Sequence, residues 1–167
     1  MHADCIIVAD GARARFFTLQ RPEYPDIESG PDLKELKDLV NPEAETRENE
    51  LWSDIRSGGN RGGNGGVHAY DDHRQRHLAM SEKRFARSIA EEVARMARER
   101  GTREVVLVAH QRTLGFLREE LGALLGNGIR IHQLAKDLSR LDPRQIHAHL
   151  ARERLVPKRR PPRGMMH

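Results

Sequence analysis

The sequence predicts an α/β domain with a mixed five-stranded sheet and helices on both faces. Three observations carry this. Two wholly apolar runs, Cys5-Ile6-Ile7-Val8-Ala9 and Val105-Val106-Leu107-Val108-Ala109, have the make-up of strands buried on both sides. Segments of helical periodicity separate and follow them, which implies parallel pairing. An Asp10-Gly11 pair directly after the first run suits a two-residue hairpin turn, because both positions accept φ > 0. The hairpin adds antiparallel strands to the parallel ones.

The elements follow in order. Ala12 to Leu19 returns as a second strand, with Arg13, Arg15 and Phe17 on one face and Ala14, Phe16 and Thr18 on the other. Residues 21–31, rich in Pro and acid, read as a loop. Leu33 to Val40 stays open between helix and strand: Leu33, Leu36 and Leu39 have helical spacing, yet the segment is short and stops at Asn41-Pro42. Residues 41–72 show no sustained period, and six of the ten residues from 57 to 66 are glycine. Such a stretch cannot pack a core, so a mobile loop is expected over 56–67. The main helix is expected from Ser81, its cap, to Arg100, with an apolar stripe of Phe85, Ile89, Val93 and Met96. Gly101 ends it. Thr113 is expected to cap a second helix that turns Leu114, Leu117, Leu121 and Leu124 inward, with Gly126 closing it. Gly128 to Leu134 reads as a further strand. Asp142-Pro143 opens a last helix, which carries Ile146 and Leu150 and ends near Arg154. The resulting order is β-β-(β)-α-β-α-β-α, and the expected arrangement is a mixed sheet with helices on both faces, as in ribonuclease-H-like folds. Residues 1–155 are expected to form one domain, and 156–167 a disordered basic tail.

Composition narrows the function classes. At 167 residues the chain has room for one well-packed core. The single Cys5 excludes a disulfide framework, fits a reducing compartment and reads as a packing residue. No basic-then-apolar leader stands at the start, and no apolar run approaches a membrane span. A cytoplasmic location without a membrane partner is therefore expected. The formal charge of +4 is uneven: residues 23–54 hold eleven acids against three bases, while 83–103 hold seven bases against three acids. Opposed acidic and basic surfaces are expected, the basic one suited to nucleic acid.

The basic residues make the leading candidate site. Arg56, Arg61, Arg74, Arg76, Arg84 and Arg87 gather in sequence around the glycine-rich loop and the start of the main helix, and Arg13 and Arg15 share one face of the hairpin. Guanidinium forks suit phosphate oxygens. Aromatic residues are only 4% of the chain, which favours contacts to a nucleic-acid backbone over base stacking. Gly58, Gly59, Asn60, Gly62, Gly63 and Asn64 form a candidate loop whose backbone can approach a ligand closely. His68, Asp71, Asp72, His73 and His77 form a possible metal set, with His73 and His77 on one face if the stretch is helical. Asp10 is explained by its turn, and no second carboxylate matches it as a nuclease ligand. Neither a cofactor motif nor a small-molecule site is evident. Enzymatic activity is left open, with the balance against it.

Several stretches together resemble the bacterial host-attachment protein family. They are Val8 to Phe17, Leu39-Val40-Asn41-Pro42, Ser53-Asp54 leading to Val67-His68-Ala69, Lys83-Arg84-Phe85-Ala86-Arg87, Val106 to Gly115, Asp137-Leu138-Ser139 and His147-Ala148-His149-Leu150. The resemblance spans almost the whole chain. It implies a third strand over 33–40. It also implies a fold like the middle domain of archaeo-eukaryotic release factors, which cleaves the peptidyl-tRNA ester on the ribosome. Ribosome or tRNA is then the implied partner, and attachment to a host cell the role in the family's name. In those factors a Gly-Gly-Gln loop abuts an Arg-Phe-x-Arg helix. Here Arg84-Phe85-Ala86-Arg87 keeps the helix pattern, but Gly58-Gly59-Asn60 and Gly62-Gly63-Asn64 stand 20 or more residues ahead of it. Asn is one methylene shorter than Gln. The implied protein is thus a tRNA- or ribosomal-RNA-binding module, non-catalytic or weakly catalytic. A protein–protein or surface-attachment factor and a peptidyl-tRNA esterase or nuclease are the alternatives.

Overall fold

A computed structural model of the chain describes residues 5–44 and 67–165. Five strands, β1 (Cys5–Ala9), β2 (Arg13–Gln20), β3 (Asp32–Val40), β4 (Glu104–Ala109) and β5 (Arg130–Ala135), form one sheet in the order β3-β2-β1-β4-β5. β1 pairs antiparallel with β2 and β2 with β3, whereas β1–β4 and β4–β5 are parallel. Three long helices, α1 (Val67–Arg100), α2 (Gln111–Leu124) and α3 (Pro143–Arg152), cover it. The mixed sheet and two-sided helix cover expected from the pattern are present.

The strand alternation divides two cores. Ile7, Ala9, Ala14, Phe16 and Leu107 face α1 and α2, where Phe85, Ile89, Val93, Leu117 and Leu121 meet them. Ile6, Val8, Phe17, Val106 and Val108 face α3 through Ile146 and Leu150. The ambiguous 33–40 segment is an edge strand, and its helix-like leucine spacing has a local cause. Phe16 pairs with Lys37 and Phe17 with Glu35, so Leu36 is an extra, bulged residue. The bulge changes the parity: Leu33 faces the α3 layer, while Leu36 and Leu39 pack on the α1 layer.

Three local expectations are corrected. The hairpin turn does not use φ > 0 at Asp10 or Gly11; among the described residues only Gly101 and Arg154 have positive φ. Instead the Asp10 carboxylate accepts from the N–H groups of Ala12 and Arg13 at 2.8 and 2.7 Å, fixing the turn through its side chain. The main helix begins at Val67, not Ser81, because 67–80 contains no Gly or Pro to stop it. Ser81 is buried inside it and its hydroxyl accepts from Asn41 Nδ2 at 3.2 Å. α2 starts two residues ahead of Thr113, with His110 as a cap that makes no side-chain hydrogen bond, since β4 ends at Ala109 and the chain turns at once. The chain after α3 makes contacts with the 25–30 loop. Val156 is buried, Arg160 and Gly30 exchange backbone hydrogen bonds, and Arg163 and Gly164 donate to the carbonyls of Pro25 and Asp26.

Other expectations are met. Gly101 at φ +63° ends α1. Asp142 caps α3 in a reciprocal capping box with Gln145, with Pro143 in the first turn.

Candidate functional site

The hairpin arginines are drawn into the fold by the acids of β3. Arg15 is only 8% exposed. Its guanidinium donates Nε to Glu35 Oε1 at 2.7 Å and a terminal nitrogen to Oε2 at 3.1 Å. The other terminal nitrogen donates to the carbonyls of Leu141 and Ser139 at 2.6 and 3.2 Å. The group also lies over the Phe17 ring, 5.0 Å from its centroid. Arg15 is therefore a clasp between the sheet and the entry to α3, with its donors turned to protein acceptors. Arg13 pairs with Asp38 at 2.7 Å, with both groups about half exposed. The separate acidic and basic surfaces suggested by composition are, along this edge, cross-strand ion pairs.

The helix α1 arranges the other arginines. Every side chain from Asp71 to His77 is exposed, so this stretch of α1 packs on no other part of the described residues. Spacing down the helix puts Arg76, Lys83, Arg84 and Arg87 on one side, opposite the core-facing Phe85, Ile89 and Val93. Arg74 falls on the other side, and it has contacts of its own. Arg84 is held by Glu43 at 2.8 Å and Arg87 by Glu91 at 3.4 Å, all four groups being well exposed. Among the described residues, no ion pair engages Arg76 or Lys83. Further along, Glu92 bridges Lys37 of β3 and Arg95, and the hydrogen bond from Arg95 holds its carboxyl below the ordinary glutamate range. That network ties α1 to the sheet and consumes Arg95.

Arg56, Arg61 and the loop residues Gly58, Gly59, Asn60, Gly62, Gly63 and Asn64 lie outside the described residues. Of the metal set, His68 lies in the first turn of α1. Asp71, Asp72, His73 and His77 follow on its exposed part, with His73 and His77 in contact. No cluster of three or more metal-type side chains is found among the described residues.

A second grouping lies at the carboxyl ends of the parallel strands. The parallel strands β1, β4 and β5 end side by side, and the carboxyl ends of such strands are where α/β sheets usually bind ligands. Asp10 follows β1, His110 follows β4 and Asp137 follows β5. His110 Nε2 stands 3.6 Å from Asp137 Oδ2. Asp137 Oδ1 accepts from the Ser139 hydroxyl at 2.7 Å, and that hydrogen bond, with a smaller contribution from His110, lowers its pKa against a partial burial penalty. Arg112 approaches Glu82 at 3.1 Å from the same end; the angle is too poor for a hydrogen bond, so the contact is ionic. Gly11 lies directly under Glu82, where a Cβ would stand 3.4 Å from Oε1. Both signals are present as His110-Gln111-Arg112 and Asp137-Leu138-Ser139, but strand–helix–strand order implies only parallel pairing of β4 and β5, not that the His110 ring turns toward Asp137.

No helix among the described residues is long and apolar enough to cross a membrane. No curated protein matches the chain. The model of a family described as "protein required for attachment to host cells" matches residues 5–150, nearly the whole domain. The chain belongs to that host-attachment family.

Proposed function

We propose that this protein is a release-factor-like module, non-catalytic or weakly catalytic, that binds tRNA or ribosomal RNA through the exposed side of α1. The observation that carries the reading is the alignment of Arg76, Lys83, Arg84 and Arg87 on one solvent-facing side of a projecting helix. The pairs that Arg84 and Arg87 make are exposed, and such pairs are worth only about 0–1 kcal/mol, so a phosphate can displace Glu43 or Glu91. Arg56 and Arg61, just ahead of α1 in sequence, extend the set in this reading. Arg15 is withdrawn from it, and Arg13 and Arg74 contribute less. The sheet order β3-β2-β1-β4-β5 supports the likeness to ribonuclease-H-like and release-factor middle domains. Sedimentation of lysate through sucrose gradients at low and high salt tests the proposal. Co-migration with ribosomal particles or tRNA at low salt, lost at high salt, is expected; absence from those fractions at low salt overturns it.

A second reading, weak ester or phosphodiester hydrolysis, is favoured by the His110–Asp137 pair at the carboxyl edge of the sheet, an arrangement suited to proton transfer. It requires turnover that His110→Ala abolishes; an unchanged rate in that variant removes it. Surface attachment, the role in the family's description, requires an exposed pool on fractionated cells, and its absence removes that alternative.

A further inference from the structure

We infer that His73 and His77 form a two-histidine clamp for a divalent transition-metal ion of the zinc, nickel or copper class. The two residues are one helical turn apart on α1, in a stretch where every side chain from Asp71 to His77 is exposed. Their rings nevertheless turn the same nitrogen toward each other, Nε2 to Nε2, at 3.2 Å, with ring centroids 4.6 Å apart and planes at 85°. Two imidazole nitrogens, each about 2.0–2.1 Å from a tetrahedral ion, stand about 3.3 Å apart; a square-planar ion brings them to about 2.9 Å. The observed bite lies between the two and nearer the tetrahedral value. Asp71 and Asp72 precede the pair and offset the positive charge of Arg74 and Arg76. Met80, exposed and three residues after His77, lies on the same side of the helix as a thioether for a softer ion. Arg74 occupies the place where a His-Glu-x-x-His peptidase motif carries its general base, so the clamp is suited to binding and not to metal-assisted peptide hydrolysis. The remaining coordination positions are open to water or to an incoming ligand.

Titration of the untagged full chain with nickel and zinc chloride, followed by calorimetry in a non-coordinating buffer, tests the clamp. One ion per chain is expected, with His73→Ala and His77→Ala each weakening binding on the order of 100-fold, because the second imidazole binds intramolecularly. Control variants His149→Ala and His2→Ala should keep the wild-type affinity. Amide exchange of residues 71–80 should slow on metal addition in the wild type and not in either clamp variant, since the ion staples one helical turn. Both clamp side chains are exposed, so the variants keep the fold, which circular dichroism verifies. Absence of binding at millimolar metal, wild-type affinity in either clamp variant, or loss in a control variant instead overturns the inference. The RNA-binding proposal is independent of these outcomes.

Discussion

Arg15 sits at the junction of β2, β3 and the entry to α3, and its removal should cost the fold rather than any ligand. Arg15→Ala takes away a forked pair with Glu35 and the donors of the Ser139 and Leu141 carbonyls. Each charged hydrogen bond contributes about 1.5–3 kcal/mol, but the losses do not add. Glu35 is one-third exposed and can rehydrate, whereas the guanidinium and Ser139 are buried. The expected loss is therefore about 3 kcal/mol, near the lower end for breaking a buried pair. For a domain of this size that lowers Tm by about 6–12 °C. Arg15→Lys should recover less than half, because an ammonium cannot make the fork. Urea unfolding, read as a fall in midpoint at constant slope, measures both. A change under about 0.5 kcal/mol in Arg15→Ala, accompanied by weakened RNA binding, would refute the structural role.

Three further outcomes follow from the same contacts. Asn41 is buried; its backbone N–H donates to Ala12 O and its side chain to Gly11 O and Ser81, so Asn41→Ala should cost about 2 kcal/mol in urea unfolding and loosen the hairpin from α1. Gly101→Ala, at φ +63° with open space around it, should cost about 1 kcal/mol through backbone strain alone, measurable as a lower Tm. Asp137 has a folded pKa below its ordinary 3.8, so its contribution is present above that value and is lost as pH falls through the folded value. Asp137→Asn should therefore be less stable than wild type by under about 1 kcal/mol at neutral pH, and the gap should close in urea titrations below pH 3.8.

The strands were legible because β1 and residues 105–109 of β4 are apolar without interruption, a pattern that few other elements share. β3 was ambiguous for a reason that lies in another strand: its bulge is defined by pairing with Phe16 and Phe17, and a single segment cannot reveal it. The hydrogen bonding of the Asp10 carboxylate replaced the backbone turn that Asp-Gly suggested. The start of α1 is not legible because 71–77 is polar without exception and carries no apolar stripe; a helix in water reads as a loop when only periodicity is consulted. The candidate arginines were gathered by sequence distance, while the fold sorts them by face. Arg15 turns inward to Glu35, Arg84 and Arg87 turn outward, and Arg74 leaves the row. The His110–Asp137 approach depends on β4 and β5 being adjacent, a tertiary fact.

The most direct test of the account is the salt dependence of tRNA binding by the wild-type chain and by a variant combining Arg76→Glu, Lys83→Glu, Arg84→Glu and Arg87→Glu. Four phosphate contacts imply a slope of about −3 in log K against log salt, so a fourfold rise in salt weakens binding roughly 60-fold. The account predicts that slope for the wild type and its near loss, together with the affinity, in the folded variant. Binding insensitive to salt, or a variant that binds as the wild type does, contradicts it.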